Sequence, residues 1–188
     1  MHSQLDHELP GIIRTMLRRM WKVARFDRET IQDLKSDPTA TPQAVAVAAL
    51  AGLSYGLGFS LFLGTTIDSV LLAAGAGIVA GLLIGFAWLS LTFVIGTRLF
   101  RGVTSYWGLA RPFFFAWSPG LLFLFMSVPT PPIPDLARGI ASAWIIIGSV
   151  LAVKHSMGLE TQQSLLTFIL VFFVFTVVLI SYGFISSL

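Results

Sequence analysis

The chain has no cysteine among its 188 residues, which excludes disulfides, thiolate metal sites and cysteine nucleophiles and leaves no signature of a redox compartment. Charge is scarce too, with 11% of residues charged against 55% hydrophobic. Beyond residue 42 the ionisable side chains are Asp68, Asp135 and Arg138 in one set of connections, and Arg98, Arg101, Arg111, Lys154, His155 and Glu160 in the other. None falls at the centre of an apolar run, where proton relays and ion-coupled carriers hold their carboxylates or histidines.

Catalytic constellations are missing in the same way. His155 is the only histidine after His7, and Glu160 is a lone acid near it, so nothing predicts a Ser/His/Asp arrangement. His155 beside Lys154 reads as an interfacial loop residue. His2 and His7 would hold a metal or pigment only if something else ordered the terminus. Gly75 and Gly77 lie inside an apolar run, so they form no phosphate-binding loop. The expectation is a non-enzymatic chain with no cofactor and no metal. Its pI of 9.7 accompanies a net charge of only +3, which reflects where the bases lie and does not point to nucleic acid.

What the chain does have is long hydrophobic sequence, with a mean hydropathy of +0.84. Windows near the roughly 20 residues needed to cross a hydrocarbon core about 30 Å thick occur at 43–64, 69–96, 112–128, 139–153 and 164–187, the fourth being short. They predict an all-α, polytopic transmembrane bundle of five spans over 43–188, preceded by an amino-terminal segment over 1–42. No short apolar stretch with a cleavage site precedes the first window, so a secretory signal peptide is not expected.

The bases orient the bundle. Arg14, Arg18, Arg19, Lys22, Arg25, Arg28 and Lys35 precede the first span, Arg98, Arg101 and Arg111 lie in the second connection, and Lys154 lies in the fourth; the other side has Arg138 alone. That asymmetry predicts a cytoplasmic amino terminus and places Leu188 outside. Arg98, Arg101 and Arg111 read either as snorkelling, topology-setting residues or as a site for headgroups or an acidic partner.

From Leu9 to Phe26 the residues Leu9, Ile12, Ile13, Met16, Met20, Val23 and Ala24 recur at helical spacing, with Arg14, Arg18, Lys22 and Arg25 on the opposite face. This predicts an amphipathic interfacial helix whose bases meet anionic headgroups at about 1 kcal/mol each. The same face also suits packing on the bundle or on another subunit. Thr41 is expected to cap the first span, with Pro42 at its first helical position.

Small residues recur every fourth position in the first two spans: Ala44, Ala48, Gly52, Gly56, Ser60 and Gly64, then Ser69, Ala73, Gly77, Gly81 and Gly85. In lipid such stripes allow close helix approach, which predicts an antiparallel hairpin across the short connection Thr65 to Asp68. An oligomeric interface or a groove for a lipid tail remain alternatives. Pro119 predicts a kink in the third span, its freed carbonyl met by a neighbour such as Ser118, although broken helices also build transporter sites. Pro129 to Pro134 is expected to be a stiff extended strap.

The run Leu99-Phe100-Arg101-Gly102-Val103-Thr104-Ser105-Tyr106-Trp107 into Ala116-Trp117-Ser118-Pro119, followed by Trp144 and His155-Ser156-Met157-Gly158-Leu159, resembles the Yip1-domain family of five-span membrane proteins over residues 20 to 185. That resemblance implies a glycine-containing cytoplasmic loop leading into a span with an Ala-x-x-Pro step. Eukaryotic members are linked to small GTPases and carry an Asp-Leu-x-Gly-Pro step that is missing here. The likeness is therefore to a compact prokaryotic member of the cytoplasmic membrane, and it does not imply a GTPase partner. Three functional classes follow: a scaffold or accessory subunit acting on the bilayer and on other membrane subunits, a passive small-molecule or lipid permease built on the Pro119 kink, and a trafficking or membrane-shaping factor acting through the basic helix.

Overall fold

The computed structural model describes residues 2–186, with the side chains of 11–178, 180 and 181. His2, His7 and Leu9, as side chains, and Leu188 lie outside the described residues. Among the described residues the chain is helical without strands: α1 His2–Ala24, α2 Arg28–Ser36, α3 Ala40–Phe62, α4 Ile67–Arg98, α5 Tyr106–Phe115, a 3₁₀ segment Ser118–Ser127, α6 Ile133–Met157 and α7 Thr161–Ser186. Five of these units are long and apolar enough to cross a membrane: α3, α4, α5 with the 3₁₀ segment, α6, and α7. The third of them is the most buried, while α4 and α7 are the least. At 1.5 Å per residue the 32-residue α4 is about 48 Å long, more than a hydrocarbon core requires.

The α3–α4 hairpin depends on its glycines. A Cβ on Gly52 would strike the carbonyl oxygen of Gly77, one on Gly56 would strike that of Ala73, and one on Gly81 would come within 3.0 Å of the Gly52 Cα. The two stripes therefore face each other within one molecule, backbone against backbone. Gly85 continues the row against other partners, since a Cβ there would lie 2.9 Å from the Trp117 ring. In lipid, where no water is expelled, contact density of this kind is what holds helices together. Gly58, outside the predicted stripe, plays the same part against the Phe123 carbonyl.

Several boundaries differ from the sequence expectation. α3 begins at Ala40, and Thr41 accepts the Arg111 Nε–H at 2.8 Å instead of capping the helix. The third span starts at Tyr106, not Pro112, because the Ser105 side chain accepts the Gly108 N–H at 3.0 Å and caps α5, which begins six residues earlier. α6 is a full 25 residues; its first two turns carry Asp135 and Arg138, paired at 2.8 Å, and these charges had depressed the hydropathy there. The Pro129 to Pro134 connection is a tight turn, not an extended strap: the Ile133 N–H bonds the Thr130 carbonyl at 2.9 Å, the Pro131–Pro132 bond is cis, and Pro134 is already helical.

His155 to Met157 form the last turn of α6 rather than a loop. Gly158 ends the helix with φ +69°, a left-handed conformation that costs glycine least, and the Leu159 N–H returns to the Lys154 carbonyl at 3.1 Å. The α4–α5 connection packs on this corner. The Val103 N–H donates to the Met157 carbonyl at 3.0 Å and the Gly102 N–H to the Gly96 carbonyl at 2.9 Å.

Candidate functional site

Two features are candidates, and both follow from how the third span is built. At Pro119 the α-helix does not merely bend. α5 stops at Phe115, Ala116 and Trp117 form a turn, and the chain continues as the 3₁₀ segment with Pro119 near its start. Ser118 does not satisfy a local carbonyl. Its Oγ donates to the Met20 carbonyl of α1 at 3.2 Å in a buried contact.

That contact is part of a dock for the end of α1. The Trp144 indole N–H donates to the Ala24 carbonyl at 2.8 Å, and the Phe26 and Trp144 rings lie 6.4 Å apart. Phe26 adopts φ +60°, the Phe26 N–H bonds the Val23 carbonyl at 2.8 Å, and the Asp27 N–H bonds the Lys22 carbonyl at 3.1 Å. This is the paired-bond helix stop usually made by glycine, so the final carbonyls of α1 are all engaged. Nearby, Arg19 bridges Asp37 and the Gln43 side chain, the latter at 3.0 Å. Asp37 also accepts the Thr39 hydroxyl at 2.6 Å; that bond, ahead of the Arg19 contact, holds its carboxyl below the usual range.

Docked in this way, α1 has three edges. Met20 and Val23 are buried against the bundle, with Met16 packed beside them. Arg14, Arg18, Lys22 and Arg25 are exposed. Between these edges runs a third, formed by Ile13, Leu17 and Trp21 at helical spacing, all exposed and Trp21 at 67%. Of the residues first assigned to one apolar face, Ile12 and Ile13 are both exposed and separate from Met16, Met20 and Val23. Leu17 and Trp21 were not singled out in the sequence, although their spacing from Ile13 would have revealed them.

Arg98, Arg101 and Arg111 do not form one cluster of like residues. Arg98 and Arg101 are exposed, whereas Arg111 is 9% exposed, and its guanidinium also donates to the Lys35 carbonyl at 3.0 Å. Arg111 clamps the end of α2 and the start of α3 to α5.

The second feature is a cavity of about 420 Å³ beside the turn in the third span. α3 and α4 line it with Gly52 and Gly81, the third span with Trp117, and α6 and α7 with Ser149 and Phe168. Ser142 also lines it, and the remaining wall residues are small, apolar or aromatic. Trp88 crosses from α4 toward α7, its ring centroid 5.1 Å from both Phe168 and Phe175. Among the described residues, the Trp88 indole N–H and the Ser149 hydroxyl are buried without a hydrogen-bond partner, and no group of three metal-ligating side chains occurs. A wall of this composition solvates hydrocarbon. No family model, no curated protein and no solved structure matches this chain.

Proposed function

We propose that this is a non-enzymatic integral membrane protein that works by contact, gripping the bilayer with α1 and serving as a scaffold or accessory subunit for other membrane proteins. The observation that carries the reading is the three-edged α1. One edge is bound to the bundle through Ser118 and Trp144, one is basic, and the exposed row Ile13, Leu17 and Trp21 has the chemistry of an acyl-chain boundary. In this reading the helix lies in the headgroup plane of the cytoplasmic face, with the amino terminus inside and the carboxyl terminus outside, as the distribution of Lys and Arg favours. The anionic headgroups would be those of a prokaryotic cytoplasmic membrane, and the chain would be a compact Yip1-like member.

The absence of cysteine makes the test direct, because a single spin label at Leu17→Cys needs no other substitution. In vesicles containing phosphatidylglycerol the label is expected to be accessible to oxygen and shielded from a water-soluble nickel chelate. Reversal of Arg14, Arg18, Lys22 and Arg25 to Glu should expose it. A label open to the chelate in every vesicle would defeat the proposal.

A permease reading has one observation in its favour, that the break at Pro119 adjoins the cavity through Trp117. Pro119→Ala would then abolish solute or lipid passage without dissociating any complex.

A further inference from the structure

We infer that the cavity between α3, α4, α6 and α7 is a binding site for an amphiphile drawn from the bilayer, a hydrocarbon chain that bears a carbonyl oxygen. Its volume of about 420 Å³ suits a small-molecule ligand. Ala51 and Gly52 place it at the middle of the 23-residue α3, far from either end of that helix. The rim residues Ala80, Ile84, Ile146 and Phe172 are exposed on the outer surface of apolar spans, so the medium at the opening is lipid acyl chain. α4 and α6 barely touch; α7 packs against α6 and meets α4 through the aromatic contacts of Phe168 and Phe172 with Trp88. A ligand therefore enters sideways, out of the acyl-chain layer.

The polar part of the ligand is specified by two groups. Helical hydroxyls in this chain ordinarily donate to the carbonyl four residues back, as Ser54, Ser90, Thr97 and Thr167 do. Ser149 is 1% exposed, lines the cavity and makes no such bond. Trp88, on the α4 side of the same cavity, has an indole N–H with no acceptor. An indole can only donate and a hydroxyl donates readily, so the complement is an acceptor oxygen without a charge. An acyl ester of a glycerolipid and a ring carbonyl of an isoprenoid quinone both supply one. The inference uses no residue of α1 and stands or falls separately from the proposed grip on the headgroups.

The full chain in detergent micelles, titrated in separate arms with methyl dibromostearate and with decylubiquinone, tests it through tryptophan fluorescence. Both probes quench on contact, and Trp88 and Trp117 stand in the wall. Saturable quenching is expected in at least one arm. Saturation by the ester identifies a glycerolipid chain, and saturation by the quinone identifies an isoprenoid carrier. Ala80→Phe with Ser142→Phe, which fill the space from its lining, should weaken binding at least about ten-fold while thermal unfolding stays cooperative. Ser149→Ala with Trp88→Phe should weaken it roughly two- to ten-fold per lost hydrogen bond, read as the probe concentration that half-completes the saturable quenching. Linear, unsaturable quenching in both arms overturns the site, and so does a filled variant that binds as well as the parent chain. Should the filled variant fail to fold, full affinity in the donorless variant overturns the carbonyl assignment.

Discussion

Arg111 shows how one residue type takes opposite roles within a few positions. Arg98 and Arg101 are exposed, and replacing either with Ala should change stability by no more than about 0.5 kcal/mol. Arg111→Ala deletes the donors to Thr41 and to the Lys35 carbonyl, and hydrogen bonds from a charged group are worth about 1.5–3 kcal/mol each. The expected result is a lower melting temperature and faster proteolysis between α2 and α3; equal melting of all three variants would contradict it. Nothing in the spacing of the arginines distinguishes them, because burial of Arg111 depends on where α2 and α3 meet α5. Phe26 is a second case. A left-handed conformation costs a residue with a Cβ about 1–2 kcal/mol, and only its ring contact with Trp144 explains why glycine is not there.

At the scale of elements, the α3–α4 hairpin was legible because a four-residue repeat of small residues has one physical use in lipid, which is close approach. Gly56→Leu should separate the two helices at a cost of about 1–3 kcal/mol or more, seen as a lower melting temperature in detergent and loss of a Tyr55-side crosslink to α4. Gly75→Leu, on the partner helix α4 but with open space at its Cβ, should leave both unchanged. The dock of α1 has a pH dependence with a defined sign. The Asp37 carboxyl is held below its ordinary value, so its contribution is complete above about pH 4 and is lost as pH falls through the lowered value. A spin label at Leu17 should therefore gain mobility in acid, and Asp37→Asn should produce the same mobility at neutral pH. A label equally mobile in the parent chain and the variant at pH 7 would show that Arg19 does not depend on Asp37.

At the scale of the whole molecule, the distribution of bases predicts that thiol reagent added outside intact cells reaches a cysteine at Thr130 in the Pro-rich turn and not one at Arg18. The reverse pattern would invert the topology. If the chain is an accessory subunit, purification in mild detergent should bring a larger membrane complex with it in fixed proportion, whereas recovery alone would shift the weight to lipid handling. The sequence by itself determined the helical class, the number of long apolar helices and the face-to-face hairpin, because hydropathy and small-residue spacing are local properties that lipid reads directly. It misplaced the start of the third span and the length of α6, where a cap at Ser105 and an ion pair at Asp135 and Arg138 outweigh average hydropathy. Only the tertiary structure decided that α1 has three edges, that Arg111 is a clamp, and that Ser149 and Trp88 share the wall of one cavity. Each of these depends on which distant segment lies opposite a residue, as with Met20 against Ser118 or Ala24 against Trp144, and such pairings leave no periodic trace along the chain.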